Sequence, residues 1–100
     1  MALNRQGYED RIPEYTLNQL DCYVEDRLIP GGFLLAVLSN DLFGAVNRAD
    51  SANQAALADI VKFVYNRMPA GCWGSQEKVY AYVEEKFYEK LVDTDPLIPV

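Results

Sequence analysis

Apolar side chains recur every three or four residues along most of this chain, the spacing of helices that bury one face. Leu17, Leu20, Val24 and Leu28 make the first such face, with Asp21, Glu25 and Asp26 lying off it. Thr16 and Gln19 have capping-box spacing, and Tyr15 and Leu20 occupy the two staple positions, so a helix is predicted to begin there and to end before Pro30. Pro30-Gly31-Gly32 reads as a turn with proline suited to a first helical position, and the almost wholly apolar run Phe33 to Leu38 as a short buried helix. Ser39, Asn40 and Asp41 should end that helix and cap the next, which carries Leu42, Phe43, Ala45 and Val46 as far as Ala49. Asp50 and Ser51 open another start, with Ser51 and Gln54 again in capping-box spacing. Leu57, Ile60, Val61, Val64 and Met68 then give the cleanest helical stripe, which Pro69 stops. After a tight Ala70 to Gly74 connection, Ser75 is placed to cap a last helix with Val79, Val83, Phe87 and Leu91 on one face.

The pattern therefore predicts an all-α architecture, a compact bundle of about five short helices with capped turns. Residues 1–14 are polar, with Gly7 and Pro13 as breakers, and read as an arm lying on the surface or on a neighbouring subunit. The helical domain spans 15–92. A tail, 93–100, holds Pro96 and Pro99 and is too apolar to be left free in solvent. One hundred residues make one domain. Twelve aromatic residues are more than so small a core needs, which predicts a homo-oligomer.

Charge and composition prune the functions. A formal net charge of -6 argues against gripping duplex nucleic acid, and no apolar run approaches the roughly 20 residues of a membrane span. No basic start followed by an apolar stretch marks a secretion signal, which predicts a cytoplasmic location. There is no histidine, so the commonest general base and metal ligand is missing. Cys22 and Cys72 are far apart in sequence and read as two thiols, not as a metal or redox pair. Adjacent acids such as Glu25 and Asp26, or Glu84 and Glu85, point about 100 degrees apart on a helix and read as solvated faces. No catalytic residue, metal site or cofactor is expected.

What remains is a group of polar and aromatic residues at element ends: Arg48, Asp50 and Asn53 at one junction, Tyr65, Asn66 and Arg67 at another, and Trp73 in the glycine-bounded turn. Arginine presents a rigid fork to phosphate, asparagine offers donor and acceptor to a base edge, and aromatic faces stack on planar rings. These seven residues are the candidate ligand site. The competing reading has Trp73 filling a core gap, Asp50 capping a helix and the arginines pairing with acids.

The run Ile12-Pro13-Glu14-Tyr15, Tyr23-Val24-Glu25, Pro30-Gly31-Gly32-Phe33-Leu34, Ala36-Val37-Leu38 with Asn40-Asp41-Leu42, Arg48-Ala49-Asp50, Tyr65-Asn66 and Cys72-Trp73-Gly74-Ser75 with Glu77-Lys78-Val79 resembles a group of small accessory proteins of tailed bacteriophages, over roughly residues 12 to 83. The resemblance implies a phage origin and expression in the host bacterial cytoplasm, without assigning roles to residues. Two functions follow as expectations. In one, an oligomer encloses and sequesters a small nucleotide-like ligand, such as a signal of a host defence system. In the other, an acidic surface occludes a basic site on a host protein.

Overall fold

Proline and glycine set the first helix boundaries. The structure, a computed structural model, describes residues 3–84. The segment 93–100, and Glu85, Phe87, Tyr88 and Leu91 of the last expected helix, lie outside the described residues. Pro13 precedes α1 (Glu14–Asp26), and its carbonyl accepts from the amides of Thr16 and Leu17. No side chain caps this helix, so the expected capping box does not form. Thr16 is turned inward instead, where its hydroxyl donates to Asn53 Oδ1 at 2.5 Å in a buried pair. The two residues are 37 positions apart, a partnership that a local spacing rule cannot register. Arg27, in the left-handed conformation, closes α1 and lays its guanidinium 4.3 Å from the centre of the Tyr82 ring.

Helices α2 (Gly32–Leu38) and α3 (Leu42–Arg48) pack side by side around a three-residue turn. Asn40 takes a left-handed φ of 63° there, and Asp41 caps α3 by accepting from the Gly44 amide. Gly31, not Pro30, stands before α2. The expected helix from Ser51 to Met68 is interrupted. Asp50 caps a single turn, α4 (Ser51–Ala55), and Ala56 breaks the path before α5 (Leu57–Arg67). The buried face of α5 is Ile60, Phe63 and Val64, while Val61 is 48% exposed. Either Val61 or Phe63 satisfies helical spacing, and the larger ring gains more by leaving water. A single 3-10 turn (Ala70–Cys72) follows, and then α6, helical over 76–84, where Ser75 Oγ accepts from the Lys78 amide as expected.

Leu20, Tyr23, Leu38, Ile60, Phe63, Cys72 and Val79 are fully buried, so every helix but α3 and α4 contributes to the centre of the core. Among the described residues there is no strand, and the all-α reading holds. The N-terminal arm is the main departure. Leu3 and Ile12 are core residues, and Tyr8 meets Phe63 edge-on with ring centres 5.1 Å apart. Arg5 pairs with Asp21 and also donates to Asn18 Oδ1 at 2.9 Å, while the Leu3 amide donates to Asp21 Oδ1. The segment thus folds onto α1 and α5 of its own chain, because its few apolar residues sit where those helices leave a gap. No helix among the described residues is long and apolar enough to cross a membrane.

Candidate functional site

The seven candidate residues fall into three places. Arg48, Asp50 and Asn53 come together at the ends of α3 and α4, where they line a polar recess of about 260 Å³ with Tyr15 and Gln19 of α1 and with Gly31 and Gly32. Asp50 does two things there: one oxygen accepts from the Asn53 amide at 2.8 Å, and the other accepts from the Tyr15 hydroxyl at 2.5 Å. The Tyr15 hydroxyl and then the Asn53 amide hold the Asp50 carboxyl below the ordinary carboxylate value, and the same contact raises the Tyr15 phenol. Asn53 is buried and serves the Thr16 pair.

Arg48 is held differently. A Cβ at Gly32 would stand 3.1 Å from Arg48 Cδ, and one at Gly44 would stand 2.7 Å from Arg48 Nη1. Glycine at both positions makes the bed in which this side chain lies. Among the described residues its guanidinium has no hydrogen bond and no ion pair. Its other side faces a second polar recess of about 490 Å³, shared with Ser39, Asp41 and Gln76. Ser39 Oγ is buried and has no hydrogen-bond partner among the described residues. An arginine fork between two polar recesses, beside an unsatisfied hydroxyl, can take a phosphate or carboxylate.

Tyr65 and Trp73 meet on another face. Their ring centres are 5.6 Å apart, tilted by 52°, along an apolar groove of about 310 Å³ between α2–α3 and α5. Trp73 Nε1 donates to the Met68 carbonyl, which fixes the indole plane, so Trp73 both packs and forms a wall. Beside the groove Leu42 is 62% exposed and Phe43 82% exposed, although spacing had put both on an apolar helix face. Only Ala45 of α3 is buried, since α3 is covered on the α2 side alone.

Asn66 and Arg67 hold the N-terminal arm. Asn66 Nδ2 donates to the Tyr8 hydroxyl at 3.4 Å, and Arg67 Nη2 donates to the Gln6 carbonyl at 3.3 Å with its guanidinium 5.4 Å from the Tyr8 ring. Sequence reading missed Tyr15, Gln19, Ser39 and Gln76 as recess residues, for they come from α1, the α2–α3 turn and the start of α6, and only packing brings them to Arg48. No local sequence signal marks them, since Gly32 comes close to Arg48 only in the folded chain.

Among the described residues no group of three acids or cysteines is placed to hold a metal ion. Cys22 is exposed and Cys72 buried, both as free thiols; burial pushes Cys72 up to about 11. No protein-family model matches the chain, and neither curated proteins nor solved structures include a significant match to it.

Proposed function

We propose that this chain is a non-enzymatic binding protein that sequesters a small, anionic, nucleotide-like ligand at Arg48. The observation that carries the reading is the guanidinium itself, bedded over Gly32 and Gly44, without an acceptor among the described residues, and facing polar recesses on both sides. A buried, unpartnered Ser39 hydroxyl supports it, because a buried polar group without a hydrogen bond costs about 1–3 kcal/mol and a ligand oxygen would relieve that. Both recesses are open in one protomer, and enclosure comes from a second copy, for which the exposed Leu42 and Phe43 offer contact area. The phage-like residue pattern sets the proposed context: an accessory protein in the bacterial cytoplasm that removes a nucleotide signal of host defence.

The test is native mass spectrometry and titration calorimetry against a panel of mononucleotides, linear dinucleotides and cyclic dinucleotides, with wild type and Arg48→Ala. Loss of binding by at least tenfold in a variant that keeps its far-ultraviolet spectrum is expected, since a charge-assisted bidentate contact is worth about 1.5–3 kcal/mol. Equal affinity of Arg48→Ala, or no binding across the panel, overturns the reading. Salt-sensitive capture of a basic host protein instead would assign the chain to occlusion by its acidic surface.

A further inference from the structure

We propose that the ligand held by Arg48 is a dinucleoside phosphodiester, with the linking phosphate on the guanidinium and one nucleobase in the recess on each side. This inference rests on the sequestration reading above and narrows it to one chemical class. Gly32 and Arg48 are the two residues that line both recesses, so the arginine stands at the passage between them and glycine keeps that passage free of a side chain. The smaller recess, about 260 Å³, falls below the about 300–1,000 Å³ of sites that enclose a small molecule, and joined across Arg48 to its neighbour of about 490 Å³ it comes well within that range. Charge selects a diester. One carboxylate lines each recess beside the arginine, Asp50 in the smaller and Asp41 in the larger, where Asp41 Oδ2 and Arg48 Nη1 both lie against Gly44. A terminal phosphate brings about −1.5 to −2 charges at pH 7, which one guanidinium between two carboxylates does not balance. A phosphodiester brings a single charge, matched by the single arginine.

The two recesses also repeat one pairing of chemical groups. Each sets a carboxylate beside a carboxamide, Asp50 with Gln19 in the smaller and Asp41 with Gln76 in the larger. Gln19 Oε1 accepts from the Gly31 amide at 3.2 Å, which leaves its Nε2 as a donor for the recess. Asp41 Oδ1 accepts from the Gly44 amide, and among the described residues neither Asp41 Oδ2 nor the Gln76 amide has a hydrogen bond. An acceptor next to a donor matches the edge of adenine or cytosine, where an exocyclic amine donates beside a ring nitrogen that accepts. Uracil presents a carbonyl oxygen where those bases present the amine, and so opposes the carboxylate. Two edge-reading pairs on either side of one anion holder fit two amine-bearing bases joined by one phosphate.

The test is titration calorimetry of the full chain at fixed salt with the dinucleoside monophosphates ApA, CpC and UpU, the cyclic dinucleotide of adenosine, and AMP. Wild type is compared with Arg48→Ala, Gln19→Ala, Gln76→Ala and Asp41→Asn. Both glutamines are exposed, and asparagine keeps an oxygen to cap α3, so the variants retain the fold. ApA and CpC are expected to bind at least about tenfold more tightly than AMP and than UpU, and each glutamine variant to lose about fivefold for ApA. Asp41→Asn should narrow the preference for ApA over UpU, because an amide donates to a uracil carbonyl, a change that a merely structural role would not produce. Tighter binding of the cyclic dinucleotide than of ApA, or the reverse, supports the diester in either case and tells a closed ligand from an open one. Unchanged ApA affinity in both glutamine variants overturns the placement of the bases. AMP binding as tightly as ApA through Arg48 overturns this inference and leaves the proposed function standing, whereas no Arg48-dependent binding of any probe overturns both.

Discussion

Removing one oxygen from Tyr23 tests how the chain joins α1 to the Trp73 turn. The side chain is fully buried, and its hydroxyl donates to the Cys72 carbonyl at 2.7 Å, a bond between residues 49 positions apart. Tyr23→Phe keeps the ring, including its contact with Tyr82 at 5.2 Å between centres, and leaves the Cys72 carbonyl without this donor. A buried group orphaned in this way costs about 1–3 kcal/mol, and in a domain of this length about 2 kcal/mol corresponds to roughly 10 °C in Tm. The pH dependence gives a second readout. Burial raises the Tyr23 phenol above its ordinary value of 10.0, with the neighbouring Cys72 and Tyr82 adding to the effect and Arg27 opposing it. A raised folded pKa gives stability that is complete below the unfolded value and is lost as pH rises past it. The wild type therefore loses stability above pH 10 that Tyr23→Phe does not lose, and the gap between them narrows. Thermal unfolding at pH 7 and at pH 10.5 measures both effects. A Tm within about 2 °C of wild type, with a gap constant in pH, would refute the buried bond; 2 °C is less than 1 kcal/mol buys at this size.

Other outcomes follow from single contacts. Thr16→Val leaves Asn53 Oδ1 buried without its donor and should cost about 2 kcal/mol, while Thr16→Val/Asn53→Leu should cost about 1 kcal/mol less than the sum of the single changes in denaturant titrations. Cys22 should react with a thiol reagent at once and Cys72 only through opening of the fold. Because the Cys72 thiol is raised from 9.0 to about 11, its stabilising effect falls away between those pH values, and Cys72→Ala should flatten the stability profile there by about 2 kcal/mol. A Cβ at Gly44 would stand 2.2 Å from Asp41 Oδ2 and 2.7 Å from Arg48 Nη1, so Gly44→Ala should displace both. It should lower Tm through loss of a cap worth about 1 kcal/mol and weaken ligand binding in calorimetry, against the ordinary gain of alanine over glycine in a helix.

Local order was legible where the signals are local. The helical periods, the Asp41 and Asp50 caps, the Ser75 cap and the stop at Pro69 all depend on residues within one turn of each other, and the structure has each of them. Periodicity failed where two apolar choices fit one helix, as with Val61 and Phe63, and where a polar residue had a distant partner, as with Thr16. Residue types also pointed to Arg48, Trp73 and their neighbours as the chemically interesting set, but type carries no information about which of them meet.

That division belongs to tertiary packing. Backbone hydrogen bonds and caps close over three or four residues, so the order of amino acids specifies them directly and the all-α class follows. The core placement of Leu3 and Ile12, the bed of Gly32 and Gly44 under Arg48, and the separation of that arginine from the Tyr65–Trp73 groove arise between elements far apart in the chain. There the competing arrangements share the same local pattern, and burial of the largest apolar surface with most inner polar groups partnered decides among them.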